Sequence, residues 1–285
     1  MKSFVSAARS VLTRSLKRQC AGVVIAAGML IPTGVSAADA LEKAKAAGKL
    51  VVATEMQFAP FDMKIDGKYV GVNKDILDEI GKELGVAMDY TDLPWTSVLP
   101  GLESGKFDFV GAPINATKER MKRYAFTNPF AFSGSAFMKR KGDTALTKPE
   151  DLKDQTVGVV KSSAILRQVQ LFNETTPVTI REYSDNNQLY ADLAAGRVAA
   201  AASSLANVSY AAQQRSDTFE VIKPTFGVPT YYGWISRNDD SSKTLIAAIN
   251  TALAKVIEDG RMAAIQEKWF GEAYDLPAVM PEPQI

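Results

Sequence analysis

The chain has 285 residues, 46% of them apolar and 23% charged, enough for a packed core in one large domain or two ordinary ones and unlike a disordered chain. It contains no His and a single Cys, which excludes His-based acid–base chemistry, His metal sites and an internal disulfide. The charge is uneven: five of the 33 basic residues and none of the 32 acidic ones fall in residues 1–37, so the chain from Ala38 onward carries a net −4, which argues against nucleic acid or an anionic membrane surface as partner.

Lys2, Arg9, Arg14, Lys17 and Arg18 form a basic N-terminal region. The apolar run Ala21–Ile31 that follows is too short to span a bilayer as a helix. Val35 and Ala37 then put small residues at the two positions a signal peptidase reads. A secretory signal peptide over 1–37, cleaved after Ala37, is expected. Cys20 precedes the apolar run and is badly placed for a lipid anchor.

A short helix is expected over 39–48, ended by Gly48, and a buried strand over Lys49–Thr54. Pro60 keeps 55–61 a loop, and Asp66-Gly67 marks a turn between two extended pieces. An amphipathic helix follows from Asn73, with Ile76, Ile80 and Leu84 on one face and Gly85 as its stop. A strand is expected over Val86–Tyr90, then a helix capped by Thr96 or Ser97, then a strand over 107–110. That strand runs into Gly111–Arg120, a strand-to-helix corner where Asn115 or Thr117 can cap the next helix. Free backbone N–H groups and the Arg120 guanidinium meet at this corner, a combination that suits a carboxylate.

The helical period stops at 129–139, where an extended run is expected, and 142–151 reads as a linker. The alternation then restarts. Strand 156–160 leads to a second polar corner, Lys161–Ala164, and helix 164–173, strand 177–183, helix 186–195 and strand 197–202 follow. A helix at 204–214, a strand at Tyr231–Ser236, helices at 243–258 and 261–269, and a loose Pro-rich tail over 272–285 complete the chain. Two α/β units joined by extended segments predict two lobes with a ligand cleft between them.

These segments, taken in order, resemble the solute-binding proteins of polar amino-acid ABC importers, bacterial extracellular family 3. The resemblance is carried by Lys49–Phe61, Val70–Ile76, Asp108–Arg120, Asp151–Val159, Leu193–Val198 and Glu267–Gly271. It implies an α/β fold, the two-lobed periplasmic-binding-protein clamp of type II with two crossover hinge strands. Lobe one would be 38–134 plus 232–285, and lobe two 135–231. It also implies a periplasmic location, a small-molecule ligand, no cofactor, an ABC permease in the inner membrane as partner and a monomeric state.

The resemblance further implies a ligand site. Arg120 matches the carboxylate clamp, Asn115 a backbone N–H to the same carboxylate, and Pro113 a carbonyl that accepts from the ligand's amine. Phe58 and Trp95 match two aromatic walls, and Ser163 and Ala164 the facing corner. Glu55 matches an acid at the distal end of the ligand, and Lys161 a position in the pocket or on its rim. Ser204 stands where relatives that bind α-amino acids carry an Asp, and no acid lies between Gly196 and Arg215. Three explanations remain open: Glu55 takes over the ammonium, the amine is substituted, or the ligand has no α-amine. A dehydratase acting on a prephenate-like carboxylate and a detached sensory domain are the competing functions.

Overall fold

Short polar side chains at the corners start most of the helices. The computed structural model describes residues 39–271 and 273–285; the expected signal peptide, its cleavage site and Cys20 lie outside the described residues. The elements run α1 (Ala40–Ala47), β1 (Lys49–Thr54), β2 (Met63–Ile65), β3 (Lys68–Val70), α2 (Val72–Leu84), β4 (Ala87–Asp92), α3 (Trp95–Glu103), β5 (Phe109–Asn115), α4 (Lys118–Arg123), β6 (Tyr124–Phe126) and β7 (Ala131–Arg140). They continue as β8 (Thr156–Val160), α5 (Ala164–Thr175), β9 (Thr179–Tyr183), α6 (Asn186–Ala194), β10 (Ala200–Ser204), α7 (Leu205–Gln214), β11 (Phe219–Arg237), α8 (Asp240–Glu258) and α9 (Arg261–Phe270).

Thr117 accepts from the Arg120 N–H at 3.2 Å, Ser163 from Leu166 at 3.1 Å, Asp185 from Gln188 at 2.9 Å and Ser204 from Asn207 at 3.2 Å. Each cap is worth about 1 kcal/mol. Thr117, and not Asn115, is therefore the cap of α4. Helix α3 departs from expectation: it begins at Trp95 behind Pro94, with no side-chain cap from Thr96 or Ser97. The ring holds Pro94 at φ −56°, already helical in φ, so the chain can turn in directly.

Among the described residues one sheet has the order β4-β1-β5-β11-β7-β10-β8-β9, with β6 on β11. Strand β1 lies parallel to β4 and β5, and β8 parallel to β9 and β10. The long strands β11 and β7, antiparallel to each other and to their outer neighbours, join these two parallel units. All seven residues of β5 are buried, as expected of a strand covered on both faces. Strand β10, AAASS, is equally buried although Ala is a poor strand former. Its neighbours β7 and β8 supply the ladder, and its small side chains pack into apolar clusters with Val157, Ile165, Leu189 and Leu193.

A buried polar network fixes β5 against α2 and β11. The Trp234 Nε1–H donates to Asn73 Oδ1, and the Asn73 amide donates to the Gly111 carbonyl and, at 3.1 Å, to Asp62. Gly111 has no room for a side chain, since a Cβ there would lie 2.2 Å from Val52 Cγ1 and 2.9 Å from Leu77 Cδ1. We expect Gly111→Ala to cost about 1–3 kcal/mol, the usual penalty of overpacking, read as a lower urea midpoint at unchanged slope.

The tail is attached rather than loose. The Tyr274 N–H donates to Gln266 Oε1 at 3.0 Å, and the Lys118 N–H and ammonium donate to the carbonyls of Ile285 at 2.6 Å and Gln284 at 2.8 Å. A Pro-rich segment cannot satisfy its own carbonyls, and α4 offers donors for them.

Candidate functional site

The C-terminal ends of the parallel strands in both units face one cavity of about 60 Å³, measured as room for the centre of a water-sized sphere and enough for several waters or a small ligand. Four corners build it. Glu55 and Phe58 follow β1; Pro113, Asn115 and Arg120 come from β5 and α4; Val160, Ser163, Ala164 and Ile165 come from β8 and α5; Asn186 opens α6. Trp95, Ala112, Ala202, Ser203 and Tyr232 complete the wall.

Arg120 is only 9% exposed, on the first turns of α4. Its Nη2 donates to the Ser162 carbonyl at 3.1 Å and its Nη1 to the Asn115 carbonyl at 3.4 Å, and its guanidinium carbon lies 5.5 Å from the centre of the Trp95 ring. No carboxylate among the described residues pairs with it, and the adjacent Glu119 lies beside Arg123 instead. Burial pulls its pKa down to about 10. A buried cation held only by carbonyls and a ring is short of negative charge, and a carboxylate supplies it with two parallel hydrogen bonds. Helix α5 points its N-terminus at the same cavity through Ser163 and Ala164, which adds positive potential.

Glu55 is the one acid lining the cavity among the described residues, and it is 8% exposed. Burial, reinforced by the negative charges of Asp62, Asp185 and Asp92, pushes its carboxyl up to about 8. Asp62 is fully buried behind it, accepts from Tyr69 and Asn73, and is itself raised by burial to about 7. Three polar atoms of the wall are buried without a hydrogen-bond partner: Trp95 Nε1, Asn186 Oδ1 and Tyr232 Oη. Such atoms cost free energy unless a ligand satisfies them. Phe58 stacks on Phe61 at 5.8 Å and meets the edge of Tyr232 at 6.2 Å, so it belongs to the aromatic core and the cavity wall at once.

Of the ten residues expected at the site, the structure brings eight together: Glu55, Phe58, Trp95, Pro113, Asn115, Arg120, Ser163 and Ala164. Ser204 and Lys161 stand apart. The Ser204 side chain is buried and caps α7, while Ser203 beside it faces the cavity. Lys161 is half-buried and outside the lining. The sequence reading missed Asn186 and Tyr232. Asn186 sits in a polar strand-to-helix corner like the two that were recognised, a usable signal; nothing local marks Tyr232.

The family model described as bacterial extracellular solute-binding proteins, family 3, matches residues 50–272. The L-cystine-binding protein TcyJ of Escherichia coli (strain K12) is 31% identical over 258 residues, covering 87% of this chain and 92% of that protein. An ancestral arginine-binding protein bound to arginine superimposes with a TM-score of 0.73 at 32% identity, covering 79% of this chain and 99% of that one. An ancestral amino acid-binding protein described as a precursor of cyclohexadienyl dehydratase gives a TM-score of 0.73 at 27% identity, covering 81% and 99%.

Proposed function

The chain belongs to the bacterial extracellular solute-binding proteins, family 3, and from that premise we propose that it is the solute-binding component of an ABC importer, taking an amino acid or amino-acid-like carboxylate in the cavity around Arg120. The observation that carries this is the buried guanidinium with no carboxylate partner among the described residues, facing a cavity of ligand size. Residues 38–134 with 232–285 form lobe one and 135–231 lobe two, and the lobes close on the ligand about the crossover strands β7 and β11. The chain is exported through the leader at 1–37, works in the periplasm as a monomer, and hands its ligand to an inner-membrane permease. Binding is not followed by turnover.

The test is a thermal-shift screen of amino acids, opines, betaines and amine-free organic acids. A ligand at 100 times its dissociation constant stabilises by about 2.7 kcal/mol, a readable shift. A clear hit that calorimetry shows to be one site is expected; silence across the panel overturns the reading.

One observation favours a second reading. The buried Glu55 carboxyl stays protonated near neutral pH, which is what a general acid needs, and one similar structure is described as a precursor of a dehydratase. The absorbance of a prephenate-type substrate separates the two. We expect it to stay constant, and its enzyme-dependent loss would establish catalysis.

A further inference from the structure

The cavity is bounded differently from side to side. Near Glu55 the α6 corner closes over it, where the Asn187 side-chain amide donates to Gln57 Oε1 at 3.1 Å. Beside Arg120 it meets a groove of about 610 Å³, measured in the same way and far roomier than the cavity itself. Trp95, Arg120, Ser163 and Ala164 line both spaces and so form the partition between them. Helices α3 and α4 wall the groove on one side and α5 on the other. Anything that reaches the Arg120 guanidinium from this side passes through the groove. Ile285 lines it as well.

Ile285 is brought there by a segment tied down along its course. The Tyr274 N–H donates to Gln266 Oε1 on α9, and the Tyr274 ring lies 6.0 Å from that of Phe270. Farther on, Met280 occupies the space over Gly233 of the crossover strand β11, where a Cβ would come within 2.7 Å of Met280 Cε. Lys118 then holds the next stretch, its N–H donating to the Ile285 carbonyl at 2.6 Å and its ammonium to the Gln284 carbonyl at 2.8 Å. Lys118 is the first residue of α4, two before Arg120, so the segment is fastened to the helix that carries the guanidinium. Among the described residues these are the hydrogen bonds that 281–285 makes, both to one exposed residue. Pro281 and Pro283 each fix a backbone angle, which lowers the entropy cost of seating the segment.

We propose that 281–285 is a gate on the site. Seated on α4, it narrows the groove and slows passage to Arg120; released, it widens the groove and lets the site exchange its contents faster. That those contents are a carboxylate rests on the binding function proposed above. Two hydrogen bonds at an exposed residue are strong enough to favour the seated state and weak enough to break and re-form while the rest of the protein stays folded.

Thiol labelling tests this without any ligand. Cys20→Ser removes the one native thiol. Ala164→Cys, a buried position on the partition, supplies the one that iodoacetamide labels. Lys118→Pro then removes both donors to the segment yet suits α4, because proline is favoured at the first helical residue and Thr117 before it is already extended, at φ −115° and ψ 157°. Losing those bonds should raise the released fraction, and with it the labelling rate, about fivefold. Replacing 281–285 by a Gly-Ser sequence of equal length, which leaves α4 untouched, should raise it as much. The two changes together should add nothing further, since both release the same gate. Thermal melts check that each variant is folded. Unchanged labelling in the folded variants, or rises that multiply in the double variant, overturns the gate and leaves the binding function standing. Silence across the ligand screen removes the binding function and leaves the gate to be decided by the labelling rates.

Discussion

Arg120→Ala is expected to weaken ligand binding severely while leaving the protein folded. The guanidinium is buried, and truncating one partner of a desolvated, hydrogen-bonded charge pair costs about 2–5 kcal/mol or more, much of it from the charge left unpaired. Here that charge would be the ligand's carboxylate, enclosed by Trp95, Val160 and the α5 corner. The corresponding loss in affinity is about thirtyfold to several thousandfold. The fold should tolerate the change because Arg120 makes no ion pair among the described residues and its bonds go to two carbonyls, Asn115 and Ser162. Removing a buried cation without an anionic partner also removes a desolvation cost, so the melting temperature of the ligand-free variant should match or exceed that of the parent. Arg120→Lys restores charge but not the fork, and should recover only part of the affinity. Calorimetry with the best ligand of the screen, paired with a thermal melt, checks both halves. Retained affinity in Arg120→Ala would place the carboxylate elsewhere in the cavity.

That Arg120 could be chosen from the sequence follows from the kind of signal it carries. A strand, a polar corner and a helix start within Gly111–Arg120 leave few geometries, and the structure realises one of them, with Thr117 as cap. Lys161–Ala164 reads as a second corner of this kind, though Ser163 and Ala164 enter the expected site through the resemblance, and Ser184–Asn187 is a third such corner, with Asn186 in the cavity wall. The extent of β11 was not legible. Pro224, Gly227 and Pro229 break the pattern of a strand, so reading stops at Tyr231, whereas the strand begins at Phe219. Register shifts between Ile222 and Phe226 and between Phe226 and Thr230 absorb these residues as the strand follows β7. Such irregularities are decided by the partner strand, which a local reading does not contain. Tyr232 is hidden for the same reason: it reads as one more apolar strand residue, and only the fold reveals that it lines the cavity. Ser204 shows the opposite limit. The resemblance matches it to a site position, and in this corner its oxygen accepts from the Asn207 N–H of its own helix.

Affinity for a permanently cationic carboxylate such as 5-guanidinopentanoate is expected to rise with pH up to about 8 and then level off. The sign follows from Glu55. In the ligand-free protein burial and the neighbouring Asp62, Asp185 and Asp92 hold its carboxyl at about 8, so below that pH it is mostly protonated and neutral. A guanidinium placed against it favours the ionised form, which lowers its pKa in the complex. Binding then expels a proton wherever the free protein holds one and the complex does not. Affinity should climb by up to tenfold per pH unit over that range and flatten once the free carboxyl is ionised as well. The same displacement makes the ligand-free fold less stable as pH rises, because a carboxyl raised from 4.5 to about 8 carries stability that is complete at low pH and lost as pH passes through the folded value. Asp62, raised from 3.8 to about 7, acts in the same direction over a slightly lower range. A cationic ligand should therefore reverse the trend, stabilising the protein most where its ligand-free form is weakest. Glu55→Gln has no proton to release, so its affinity for the guanidine should be lower and nearly flat between pH 6 and 8. Calorimetry in two buffers of different ionisation enthalpy counts the protons directly. Close to one proton released at pH 6.5 in the parent and none in Glu55→Gln is the expected pair of values. Equal proton counts in the two proteins would mean that the ligand's cation lies away from Glu55.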